Sequence, residues 1–128
     1  MDELTVGFEE LIEKEIMPVP EKALSIMKEE IDIAAQDVYN FLKEATPIGE
    51  TCGLLKSLQK TKSKKQNYYG YDVEYVGNNK NGVAYQKIAS VLNFGTKDGR
   101  VAPKHFITRA QRRLKGLDGK INERIGDL

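Results

Sequence analysis

A chain of 128 residues with 40% hydrophobic and 30% charged residues and a formal net charge of +1 fits one domain, spanning 1–128, that folds without staples. A lone cysteine, Cys52, and a lone histidine, His105, exclude a disulfide framework and a zinc site. No run of about 18 apolar residues is present, and the acidic N-terminus lacks the basic and apolar regions of a signal peptide; the expectation is a protein made in a cytoplasm, with no membrane partner.

In chain order, residues 3–17 place Phe8, Leu11, Ile12 and Ile16 at helical spacing with acids early, which predicts a short amphipathic helix ended by Pro18 and Pro20. From Ala23 to Ala45 the positions Ala23, Met27, Ile31, Ala34, Val38, Phe41 and Ala45 step by three or four, one continuous stripe widened by Ile26, Ala35 and Leu42. The other side of this long helix, with Glu29, Glu30, Asp32, Gln36, Asp37 and Lys43, is expected to face solvent or another subunit. Thr46-Pro47 stops it, because the residue before proline is pushed out of the helical region.

Residues 47–57 read as loop and turn, with Leu54, Leu55 and Leu58 re-entering the core. Gln59 to Lys65 alternates lysine with small polar residues and reads as an edge strand or extended arm, where lysine discourages unwanted pairing. Tyr69 to Val76 alternates with Tyr69, Tyr71, Val73 and Tyr75 on one face, the pattern of a central strand. A turn over 77–82, a helix over 83–93 ending near Gly95, and a helix from Pro103 with Phe106, Ala110, Leu114, Leu117, Ile121 and Ile125 in register complete the pattern. Gly116 and Gly119 weaken this last helix and predict fraying or a kink. The class is α+β: a small antiparallel sheet packed by a long N-terminal helix, a short middle helix and a C-terminal helix, with a possible third strand over 95–100.

The net charge conceals an asymmetry: residues 1–50 hold 13 acids and 4 bases, residues 51–128 hold 6 acids and 16 bases. Either an acidic helix packs beside basic elements of the same chain, or subunits present opposite faces to their neighbours.

Candidate chemistry is sparse. His105 has no neighbouring nucleophile or acid in sequence, and Cys52 has only Lys56 nearby to favour a thiolate. Asp72 and Glu74 share one strand face, the arrangement of a wet sheet side that pairs across strands with Lys60 or Lys62. Neither a phosphate-cradling loop nor a dinucleotide fingerprint occurs, and the expectation is no enzyme, no cofactor and no metal. Lys56, Lys60, Lys62, Lys64 and Lys65, with Tyr68, Tyr69 and Tyr71 beside them, open a second reading, a small basic nucleic-acid-binding module.

Two segments carry a resemblance. One runs from an Ala84-Tyr85 pair through Asn93-Phe94-Gly95-Thr96 to Ala102-Pro103-Lys104-His105-Phe106-Ile107 and Ala110; the other is Thr46 to Ser57, with Thr51, Gly53, Leu54 and Ser57 in register. In this order they resemble the head-tail joining or tail-completion proteins of long-tailed phages. Cys52 is an insertion relative to the usual Thr-Gly pair, and Asn93 stands where that family more often has Glu. With the helices around them the two segments cover most of the chain. The resemblance implies a virion structural protein, of phage or prophage, assembled in the bacterial host cytoplasm into a ring of six subunits that contacts connector and tail proteins. On that reading the contacts fall on the loop with Phe94, Gly95, Thr96, Lys97 and Arg100, on the arm with Lys60, Lys62, Lys64 and Lys65, and on Glu29, Glu30 and Asp37 of the long helix. Lys56, Lys62, Lys64 and Lys65 would then face DNA passing through without being read.

Overall fold

The protein is described from a computed structural model covering residues 14–15, 21–49, 52–65 and 68–128. Its elements are β1 (Lys14–Glu15), α1 (Glu21–Ala45), α2 (Gly53–Ser57), β2 (Leu58–Lys62), β3 (Tyr68–Tyr69), β4 (Tyr71–Tyr75), α3 (Tyr85–Phe94), α4 (Phe106–Arg112) and α5 (Leu117–Gly126). This is an α+β arrangement: a long helix, a two-stranded antiparallel sheet and short helices at the C-terminal end.

Helix α1, about 37 Å long at 1.5 Å per residue, is the element on which the others pack. Its apolar stripe buries Ile31, Ala35, Val38 and Leu42 completely, with Met27, Ala34, Phe41 and Ala45 flanking them. Against this stripe lie Val73 and Tyr75 of β4 and Phe106, Ile107, Ala110, Leu114, Leu117 and Ile121 of the C-terminal segment, in one core. Phe106 meets Tyr75 edge-on, ring centroids 6.3 Å apart. The helix ends as expected at Thr46, whose hydroxyl donates to the Leu42 carbonyl. That leaves the Tyr75 hydroxyl, 2.7 Å away, to donate to Thr46 Oγ1, so the buried pair satisfies itself.

Strands β2 and β4 pair antiparallel from Leu58↔Tyr75 to Lys62↔Tyr71. Val73 and Tyr75 point into the core as the alternation requires. The strand is not central, however: among the described residues β4 has β2 as its single sheet neighbour, and Tyr68–Tyr69 belong to a separate pairing with β1. Lys14 and Glu15 therefore correct the helix expected over 3–17, whose other residues lie outside the described ones; pairing with a strand edge overrides a local helical period.

Three further expectations change. Residues 53–57 form the short helix α2 rather than loop, held by the Ser57 hydroxyl donating 2.6 Å to the Leu54 carbonyl and by the burial of Leu54. The 95–100 stretch is a turn and adds no strand. The last helix is two: it opens at Phe106 and breaks at Gly116, which adopts φ +91°, a left-handed value that suits glycine. Leu114 and Leu117, on either side of the break, are both buried, 1% and 6% exposed.

Candidate functional site: the Phe94–Ala102 loop and the lysine-tyrosine face

Where α3 ends, the chain reverses within a tightly bonded loop. Gly95 takes φ +75° and ψ −174° and its amide donates 2.7 Å to Val91 O. A Cβ there would lie 2.7 Å from Val101 O and 2.9 Å from Pro103 N, so the far side of the loop closes directly on the glycine. The turn itself is cross-braced: the Thr96 hydroxyl donates 2.7 Å to Asp98 Oδ1 and accepts 3.0 Å from the Val101 amide, while the Arg100 amide donates 3.0 Å to the same Asp98 oxygen. These donors hold the Asp98 carboxyl below its ordinary pKa, the Thr96 hydroxyl contributing most.

The return limb is fastened by Asn93, a completely buried amide. Its Oδ1 accepts from the amides of Ile107 (2.9 Å) and Thr108 (3.1 Å), and its Nδ2 donates 3.1 Å to the Thr108 hydroxyl. Asn93 thus caps the first turn of α4 from fourteen residues away, doing what the residue at the cap position itself, His105 at φ +53°, does not do with its own side chain. The amides of Lys104 and His105 donate 3.0 Å each to the carbonyls of Leu92 and Asn93, completing the junction. What this frame presents outward is Phe94, 48% exposed, with Val91 one turn earlier and Lys97 and Arg100 on the turn. Arg100 is folded back on Asp98 at 3.2 Å.

The lysine arm is organised differently from expectation. In the antiparallel register Lys60 lies opposite Val73 and Lys62 opposite Tyr71, which sets both lysines on the tyrosine face; Asp72 and Glu74 stand opposite Thr61 and Gln59 instead. Lys60 Nζ sits 5.1 Å from the Tyr71 ring centre, Lys62 Nζ 4.9 Å from Tyr69 and Lys65 Nζ 5.3 Å from Tyr68. Lys28 of α1 covers Tyr69 from the other element at 5.3 Å. Beneath them the Tyr69 and Tyr71 hydroxyls both donate 2.6 Å to Asp32 Oδ1, anchoring β3 and β4 to α1. Burial and the Asp32 carboxylate push the Tyr69 hydroxyl pKa well up, and the Asp32 bond does the same for Tyr71. Lys60 also donates 2.6 Å to Gln36 Oε1. Lys56 stands apart on α2, exposed like Lys64.

The acidic side chains of α1 find partners within the chain. Arg113 grips Asp37 with two parallel bonds of 2.8 Å, which holds the Asp37 carboxyl below its usual pKa. Arg124 reaches Glu30 at 2.9 Å and Glu29 at 3.4 Å. Glu30 is buried at 8% exposure, so it belongs to the inside of the protein and not to a solvated face. The opposed charges of the two chain halves are in this way partly consumed internally. Among the described residues no group of three or more His, Cys, Asp or Glu side chains is placed to hold a metal, and no helix is long and apolar enough to cross a membrane.

Asn93, Asp32 and Gln36 were not singled out as site residues by sequence alone, since each acts on a partner at least fourteen residues away. No family model, no curated protein and no solved structure matches the chain.

Proposed function

We propose that this chain is a structural protein of a long-tailed phage or prophage virion, joining head to tail or completing the tail by assembling into a ring. Binding energy and geometry do its work. The observation that carries this reading is the fate of the residues behind the resemblance. Asn93, Gly95 and Pro103 build one braced junction beneath the exposed Phe94 and the 96–100 turn, while Phe106 and Ala110 root the start of α4 in the core.

An exposed aromatic on a rigid frame is the usual anchor of a protein interface. A stable contact would still need roughly 1,200–2,000 Å² of buried surface, which a small subunit reaches by using loops and arms together. Native mass spectrometry and co-sedimentation with purified connectors and tail tubes test the reading. The expected result is a ring, alone or on the partner, that Phe94→Asp abolishes while circular dichroism stays unchanged. A chain that stays monomeric and ignores connectors and tails alike overturns it.

A further inference from the structure

Three pairs in the chain, Asn81-Gly82, Asp98-Gly99 and Asp118-Gly119, share a chemistry: the glycine nitrogen, unhindered by a side chain, can attack the carbonyl of the side chain before it. Their surroundings separate them. Asp98 is fixed by the Thr96 hydroxyl and the Arg100 amide, and the same bonds keep it ionised, which makes it a poor centre for attack. Asp118 and Gly119 lie in the first turn of α5, where the helical backbone turns the nitrogen away from the side chain. Asn81 is exposed in a loop, and its side-chain amide has no hydrogen-bond partner among the described residues.

We infer that Asn81 is a site of spontaneous deamidation and that Asn79 is the brake on it. Residues 80–82 form a three-residue hairpin connection closed by Gly82 at φ +79°. Asn79 holds it with four bonds. Its amide donates 2.9 Å to Val83 O, its carbonyl accepts 3.0 Å from the Gly82 amide, and its Oδ1 accepts from the amides of Asn81 (2.9 Å) and Val83 (3.0 Å). While the turn is closed, the Gly82 N–H points at Asn79. Once it opens, hydroxide removes that proton and the nitrogen attacks Asn81 Cγ. The N–Cγ bond forms, the Cγ–Nδ2 bond breaks, and Nδ2 leaves as ammonia with a proton from water. A second water opens the cyclic imide at either carbonyl, leaving Asp or isoaspartate; no electrons change hands. The formal net charge falls from +1 to 0. The isoaspartate form also lengthens the backbone of the loop that fastens α3 to the end of β4, through the Asn78–Ala84 bridge and the Tyr85 amide on Gly77 O at 2.9 Å.

Incubation of the full chain at 37 °C and pH 8.5 tests this, read by isoelectric focusing, by isoaspartate methyltransferase labelling and by mass spectrometry of the tryptic peptide 81–87. Label should appear at residue 81 before any other position, faster at higher pH, and faster still in urea. Asn79→Ala loses two side-chain bonds and should speed the conversion about tenfold, because the turn opens more often. Asn79→Asp, which keeps the acceptor, should react at the parent rate. Asn81→Gln should remove the label, and circular dichroism of every variant checks its fold. First label at Asp98 or Asp118, a folded chain that stays unconverted while the unfolded one reacts, or equal rates in Asn79→Ala and the parent overturns the assignment.

Discussion

Replacing Gly95 by alanine isolates the junction that holds Phe94 in place. Two costs add. The backbone at φ +75° and ψ −174° lies in a region open essentially to glycine alone, worth about 1–3 kcal/mol of strain for an L side chain. The new Cβ would also stand 2.7 Å from Val101 O and 2.9 Å from Pro103 N, both backbone atoms that can retreat only if the loop opens. Opening would break the Thr96–Val101 pairing at 3.0 Å and loosen the Lys104 and His105 amides from α3. The expected loss is about 3 kcal/mol, roughly 10 °C in Tm for a domain of this size. Urea unfolding followed by circular dichroism measures it, with Gly49→Ala as control. A Cβ at Gly49 meets nothing within 4 Å and its φ is not left-handed, so the control should stay within about 0.5 kcal/mol of the parent or gain slightly. A Gly95→Ala protein that loses less than 1 kcal/mol would refute the claim that close approach fixes this loop.

Other expectations follow from neighbouring features. Asn93→Ala leaves the buried Ile107 amide and the part-buried Thr108 amide at the start of α4 without their acceptor and should cost about 2–3 kcal/mol, read as a shifted urea midpoint with the slope unchanged. Arg124→Met alone strands the buried Glu30 carboxylate and should destabilise more than the double change Arg124→Met with Glu30→Met, a comparison made by thermal melts of the full cycle. Arg113 lowers the Asp37 pKa in the folded state, so this pair stabilises above the unfolded carboxylate pKa near 4 and loses its effect as pH falls through the folded value. The stability gap between the parent and Asp37→Asn should therefore be present at pH 7 and close below pH 4, and should be small throughout because both side chains are 44% exposed.

What the sequence revealed and what it hid divide along the reach of each interaction. The stripe of α1, the Thr46-Pro47 stop and the inward alternation of Val73 and Tyr75 depend on periods of 3.6 and 2 within one segment, and these stand in the structure. Gly116 was visible as a weak point, but that it takes a left-handed φ of +91° and divides the segment into two helices was not. Side-chain partners were illegible where they came from elsewhere. The 3.6 period set Glu30 beside Ile31 on the wet flank, whereas Arg124, ninety-four residues on, draws it under cover. Register decided the lysines: Leu58 shares a face of β2 with Lys60 and Lys62, and its burial opposite Tyr75 sets both lysines on the side of Val73 and Tyr71, which the run of lysines taken alone does not show. Asn93 illustrates the same limit from the polar side, for an amide in mid-helix carries no sign of the distant amides it accepts.

The grip of Arg113 on Asp37 and of Arg124 on Glu30 spans 76 and 94 residues and closes over the same helix whose apolar stripe receives Phe106, Leu114 and Ile121. During synthesis α1 leaves the ribosome before β4 and well before residues 106–125 exist, so part of its oily side and its carboxylates wait for that later segment. Nascent chains stalled before residue 106 should accordingly depend on chaperones, and a gain of protease resistance in a single late step, once residues 106–125 have left the ribosome, is the behaviour such a delayed closure produces.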